Sequence, residues 1–237
     1  MTAYMLKIIA IISMVIDHSS FLFYGTDFSW MRCVGRFAFP IFAYQIAEGY
    51  IHTHSLKKYY IRLILFALIS EIPYLWFSYT FIGSFSINII FTLILGLFCI
   101  NIYDFFKKHS EKSINNSKSF YKYIAIFLIL FLSILAEMFE LDYGCFGVLL
   151  IFCFYVFHDN KFLMNFFSIL LIIMLFLPHL INSGFHIYYI IFTICTLVPL
   201  IFINLSNGKK GKNSKWLFYI FYPVHLTLIC LIYFLIK

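Results

Sequence analysis

Charge is what this chain lacks. Only 11% of its 237 residues are Asp, Glu, Lys or Arg, against about 25% in soluble domains, and the mean hydropathy is +0.95. A soluble fold cannot hide that much apolar surface. The long apolar runs, 124–135 and 166–177 among them, do not alternate apolar with polar residues, which argues against a transmembrane barrel. The six cysteines (Cys33, Cys99, Cys145, Cys153, Cys195 and Cys230) form no CxxC, and no HExxH occurs. They read as small packing residues, and no metal is expected. A Gly-rich phosphate loop is also missing. The first apolar stretch has neither a basic leader nor an A-x-A cleavage site and reads as a retained span. No internal repeat is evident, which weakens an inverted-repeat transporter reading.

What is present is a series of apolar helices in one domain, 1–237. The expected fold is all-α, a polytopic transmembrane bundle of about nine spans. These are Tyr4–Tyr24, Met31–Tyr50, Tyr59–Phe77, Ser86–Tyr103, Phe120–Met138, Tyr143–Phe157, Phe162–Leu180, His186–Ile203 and Trp216–Ile236. The sixth is short. Trp76–Phe85 is a candidate for a short interfacial helix, and Asp104–Ser119 reads as a polar, mobile loop. The net charge of +7 points to topology, not to nucleic acid. Lys57 and Lys58, then Lys107, Lys108, Lys112 and Lys118, then Lys161, then Lys209, Lys210, Lys212 and Lys215 fall in every second loop. The loops between carry Asp27, and Glu137, Glu140 and Asp142. Basic loops mark the cytoplasmic side, so the N-terminus is expected inside.

Ionisable residues within the spans are costly and are functional candidates by default. Lys7 and His18 lie eleven residues apart on one face of the first helix, about 16 Å along its axis. Asp17, His18, Arg32, Arg36 and Glu71 are expected in the outer half, and Lys7, Glu48 and Arg62 in the inner half. Asp17 and His18 point about 100° apart and cannot pair simply. Asp17 is expected to meet Arg32 or Arg36, which share a helical face. Such pairs are structural or functional, and a cluster of this size is hard to justify by stability alone. Histidine as a residue type can take and return a proton near neutral pH, so His18 fits a general base, or else it is a packing histidine bonded to a neighbour. His225 lies two residues after Pro223, which bends its helix. Asn88 is a polar group in a span and needs a partner. Lys7, Lys57, Lys58 and Arg62 form a candidate phosphate cradle. His52, His54, His109 and His158 read as solvated loop residues.

Six blocks carry a resemblance over nearly the whole chain: LKIIAIISMVIDH (Leu6–His18), GRFAFPIFAYQIAEGY (Gly35–Tyr50), YYIRLILFALISEIPY (Tyr59–Tyr74), NIIFTLILGL (Asn88–Leu97), DYGCFGVLL (Asp142–Leu150) and YPVHL (Tyr222–Leu226). They resemble the TraX family, named for acetylation of the conjugative pilin N-terminus. That family is similar to membrane acyltransferases of the acyltransferase-three group, whose first span carries a basic residue, ten residues and a histidine. Lys7 and His18 fit this spacing. The resemblance implies an acetyltransferase of the bacterial cytoplasmic membrane. His18 is then the catalytic base and acetyl-CoA the acyl donor. The acceptor is an amine or hydroxyl of a peptide or cell-surface molecule. It also implies that the CoA phosphates dock near Lys7 and Arg62, with Glu48 part of the family pattern. Asp17, Arg36 and Glu71 then orient the base or acceptor, and Asn88 or His225 meets the thioester carbonyl. The alternative is a proton-coupled small-molecule transporter that uses the same buried charges.

Overall fold

The computed structural model describes residues 1–84, 86–112, 117–212 and 215–236, with the backbone alone for Ser117, Lys118 and Lys215. The side chains of Lys118 and Lys215, two of the lysines assigned to basic loops, therefore lie outside the described residues. Eleven helices follow in order. They are α1 (Ala3–Tyr24), α2 (Trp30–Gly35), α3 (Ala38–His52), α4 (Leu56–Phe81), α5 (Ile89–Lys112), α6 (Ser117–Met138), α7 (Gly144–Val156), α8 (Lys161–Asn182), α9 (Ile187–Leu197), α10 (Pro199–Asn204) and α11 (Lys215–Ile236). Among the described residues there is no β-strand, only an isolated bridge between Ile87 and Leu141.

Seven stretches are long and apolar enough to cross a membrane: α1, α4, α5, α6, α8, the α9–α10 pair and α11. The chain is a multi-span helical membrane protein. The other two expected spans are present as shorter pieces. The second is α2 followed by α3, interrupted at Arg36–Phe37. The sixth is α7, whose 13 residues extend only about 20 Å. Left-handed Glu140, Tyr143 and Gly144 form the irregular approach to it.

Two boundaries differ from the sequence reading. Much of Asp104–Ser119 is helical, because α5 continues to Lys112. Its residues 113–116 lie outside the described set. Among the described residues of 76–85, which leave out Phe85, no separate interfacial helix forms. Instead α4 runs on through Pro73 to Phe81, and Phe81 packs on Phe77 and Tyr233. Tertiary burial here overrides the local helix-breaking signal.

Hydrogen bonds show which connections share an end of the bundle. Ala3 and Tyr4 donate backbone N–H groups to the carbonyls of Lys209 and Lys210, at 2.9 and 3.1 Å. The Tyr50 and Tyr155 hydroxyls donate to Asp104, at 3.0 and 2.5 Å. His158 meets Glu48 at 2.8 Å, and Lys161 donates to the Asn204 carbonyl at 3.1 Å. The N-terminus and the described parts of the basic connections therefore gather at one end, in keeping with the alternation of loop charge. The opposite end holds the Ile87–Leu141 bridge. Phe127, Phe131, Ile134 and Phe166 on α6 and α8 are exposed, as a lipid-facing surface demands.

Candidate functional site

The site is built chiefly from α1, α3, α4 and α11, and begins at the basic end. A cavity of about 650 Å³ opens there. Its four cations come from three segments: Lys7 of α1, Lys58 and Arg62 of α4, and Lys210 of the α10–α11 connection. Gln45, Glu48, His52 and Tyr219 add polar groups, and Phe42, Leu63, Leu93 and Phe218 form apolar wall. The Arg62 guanidinium lies 5.9 Å from the Tyr59 ring centroid, and its Nε is buried without a protein partner. A buried guanidinium nitrogen left unpaired is suited to an anionic ligand.

Glu48 is the cavity's carboxylate, 7% exposed, and it is already partnered. Its Oε1 lies 2.8 Å from Nε2 of His158, and its Oε2 lies 3.7 Å from Nδ1 of His52. His158 also reaches Asp159, at 3.0 Å. This overturns the reading of His158 as a merely solvated loop residue. Burial works against its positive charge, but the hydrogen bonds to Asp159 and Glu48 outweigh that, and its pKa is raised above the ordinary 6.5.

Deeper in the bundle are two imidazoles. Nδ1 of His18 lies 2.7 Å from Nε2 of His225, with the rings stacked at 5.0 Å. The backbone carbonyl of Phe221 lies 2.9 Å from Nδ1 of His225. A carbonyl only accepts, so Nδ1 of His225 carries the proton and its Nε2 is the acceptor. His18 must then donate from Nδ1, which leaves Nε2 of His18 with the lone pair. The ring of His18 packs edge-on against Phe77, centroids 5.0 Å apart. It faces protein, not lipid.

The two levels are joined by helix faces. On α1, Met14 lies between Lys7 and His18. On α11, Tyr222 lies between Tyr219 and His225. Met14 is 6% exposed and Tyr222 3%, so both side chains are packed in the interior between the two levels. Pro223 cannot donate to the carbonyl of Tyr219 four residues earlier, which loosens α11 between the two levels.

Beyond the imidazoles lies the charged group. Arg36 Nη2 donates to Asp17 Oδ2 at 3.3 Å, and Arg36 Nη1 to the Tyr143 hydroxyl at 3.4 Å. Of the two arginines expected to meet Asp17, only Arg36 does so. Arg32 instead lies over the Phe21 ring, 4.1 Å from its centroid, and donates to the Thr26 carbonyl at 3.2 Å. Gly35 makes the close approach possible, because a Cβ there would collide with the Asp17 side chain. Oδ1 of Asp17 and Nε of Arg36 are buried and unpartnered. Glu71 Oε2 accepts from the side-chain amide of Asn88. That amide also donates to the Ala67 carbonyl at 2.9 Å, while Asn88 Oδ1 accepts from the Ile90 N–H at 3.0 Å. Asn88 thus caps α5 and ties it to α4.

The predicted residues therefore form four groups. Lys7, Glu48 and Arg62 line the cavity, His18 and His225 pair in the interior, and Asp17 with Arg36 lies beyond. Glu71 and Asn88 form a separate brace. Tyr143, His158, Lys210 and Tyr222 were not singled out from the sequence. Only the family-like blocks DYGCFGVLL and YPVHL drew attention to two of them.

Comparison with known proteins gives three findings. The family described as TraX protein matches residues 3–233. A 113-residue stretch, 43% of this chain, is 36% identical to the probable fimbrial assembly protein FimC, serogroup H1, of Dichelobacter nodosus. That match covers 46% of the relative, so the chain accounts for less than half its length. No solved structure matches the chain.

Proposed function

Because the chain belongs to the TraX family, we propose that it is an integral-membrane acetyltransferase working from acetyl-CoA. The acceptor is an amine or hydroxyl of a peptide or cell-surface molecule. The observation that carries this reading is the His18–His225 pair, which leaves one imidazole nitrogen basic inside an apolar bundle, in line with a cationic cavity. The basic end faces the cytoplasm of a bacterial cell by the positive-inside rule. The name of the FimC relative points toward a role in fimbrial or pilus assembly.

In this reading Lys7, Lys58, Arg62 and Lys210 bind the phosphates of CoA. The pantetheine arm follows the α1 and α11 faces for about 16 Å. It displaces Met14 and Tyr222 to bring the thioester beside His18. Nε2 of His18 takes a proton from the acceptor nitrogen or oxygen as that atom attacks the carbonyl carbon. The tetrahedral intermediate collapses by breaking the C–S bond, and the imidazolium returns its proton to the departing CoA thiolate. His225, with both nitrogens engaged, fixes the tautomer and tilt of His18 as a positioning residue. Asp17 and Arg36 hold the acceptor side of the bundle. Glu71 and Asn88 keep α4 and α5 in register. The spacing of Lys7 and His18, which resembles the first-span pattern of the acyltransferase-three group, supports the role of His18 as base.

The test is a thermal-shift titration of detergent-purified protein with acetyl-CoA, CoA and ATP. Acetyl-CoA and CoA are expected to raise the midpoint by several degrees, ATP by less, and Arg62→Ala to abolish the CoA shift. Equal responses to ATP and CoA, or none to either CoA species, would overturn the reading.

A further inference from the structure

A second, smaller cavity lies at the same end of the molecule, between α5 and α6, and plays no part in the reaction above. Its volume is about 260 Å³, and its lining includes Tyr103, Phe106 and Lys107 from α5 and Ser119, Lys122 and Ala125 from α6. Ala125 is 1% exposed and forms the floor. Tyr103 is anchored from behind by Phe152 and Tyr155, at centroid distances of 5.3 and 6.4 Å.

The charges around this groove are sorted unevenly. Asp104 and Lys108, one turn apart on α5, approach to 3.7 Å, and Asp104 also accepts from Tyr50 and Tyr155. That carboxylate is therefore committed to the bundle side of α5. His109 is held at 2.8 Å by the Phe105 carbonyl. Glu111 is exposed and is not part of the lining. Lys107 and Lys122, from two different helices, enter the groove with no carboxylate in its lining. Neither forms an ion pair among the described residues.

Both helices cross the membrane, so the groove opens where they leave the apolar layer. The anion most abundant at that depth is a lipid phosphodiester, and basic pockets between spans at the cytoplasmic face are suited to such headgroups. The aromatic wall of Tyr103 and Phe106 suits the boundary between headgroup and acyl chain. We propose that the α5–α6 groove binds the headgroup of one anionic phospholipid, its phosphodiester held between Lys107 and Lys122. The lipid would lock the ends of these two helices together.

The experiment compares the full chain in nanodiscs of phosphatidylcholine alone with nanodiscs containing phosphatidylglycerol. Phosphatidylglycerol is expected to raise the thermal midpoint by roughly 5 °C. The double variant Lys107→Gln/Lys122→Gln should lose most of that gain. A control of equal charge, Lys209→Gln/Lys212→Gln, removes two exposed lysines that line neither cavity and should keep it. Equal loss in both double variants, or no loss in the first, overturns the proposal. Glycerol phosphate added to the phosphatidylcholine nanodiscs separates the two sources of phosphate. No shift supports a lipid ligand, and a shift as large as that from phosphatidylglycerol overturns it in favour of a soluble phosphate.

Discussion

Two histidine pairs in this molecule do opposite things. His18 and His225 meet each other, with no carboxylate hydrogen-bonded to either ring, deep between α1 and α11. His158 meets Glu48 and Asp159 at the basic end, beside water. An imidazole that donates from one nitrogen to a second imidazole keeps the lone pair of its other nitrogen free to accept a proton. One beside two carboxylates is drawn toward the charged form. In the proposed reaction the first arrangement serves proton transfer, while the second fastens the His158 turn to α3. The same side chain is assigned to different work by what it touches.

The sharpest way to break that comparison is His18→Ala. It is expected to lower acetyl transfer about 10²–10⁴-fold while the helical circular dichroism and the CoA-induced thermal shift persist. His225→Ala should cost less, since it removes the orienting acceptor and not the base. Transfer from His18→Ala near the level of the parent chain would reject the assignment.

Next in size is the Asp17–Arg36 pair. Arg36→Met leaves a carboxylate inside the bundle without its partner and should cost about 3–5 kcal/mol of stability, read as a fall in the thermal midpoint. Asp17→Leu/Arg36→Met removes both charges and should recover much of the loss. A double variant as unstable as the single one would mean that the pair is not the source of the effect.

The smallest effect is at His158. Its pKa is raised in the folded chain. Its contribution is therefore complete below the unfolded value near 6.5 and is lost as pH rises through the higher folded value. With a side chain about a third exposed, the contribution should be about 1 kcal/mol or less. A plot of midpoint against pH should slope downward through this window in the parent chain and flatten in His158→Gln. An unchanged slope would remove His158 from the fastening role.

Much of the fold is legible from composition and loop charge, because each span announces itself by its own hydropathy. The nine expected segments appear as helices or broken helices in the expected order. Lys7, Glu48 and Arg62 could be placed at one depth by counting turns, and complementary charge paired Asp17 with either Arg32 or Arg36, between which the fold selects Arg36. What stayed hidden depends on how separate helices pack. Nothing in the periodicity of α1 or α11 brings His18 to His225, and nothing local to His158 announces Glu48. Tyr222 reads as one more aromatic in an apolar run until the fold sets it between a cavity and an imidazole. Asn88, read as a group facing a thioester, is committed to capping a helix. The polar stretch after Asp104 misled because exposure and disorder share a composition, whereas α5 needs no burial of its last turns to continue.

The distance along the chain between the two central imidazoles, 207 residues, has a consequence for biogenesis. Helices are delivered to the bilayer in the order of translation, so His18 enters long before its partner is made. Through that interval α1 holds a polar ring with no counterpart from α11. Any reactivity that depends on the pair must await insertion of α11, and a ribosome that stalls earlier leaves His18 without its orienting partner.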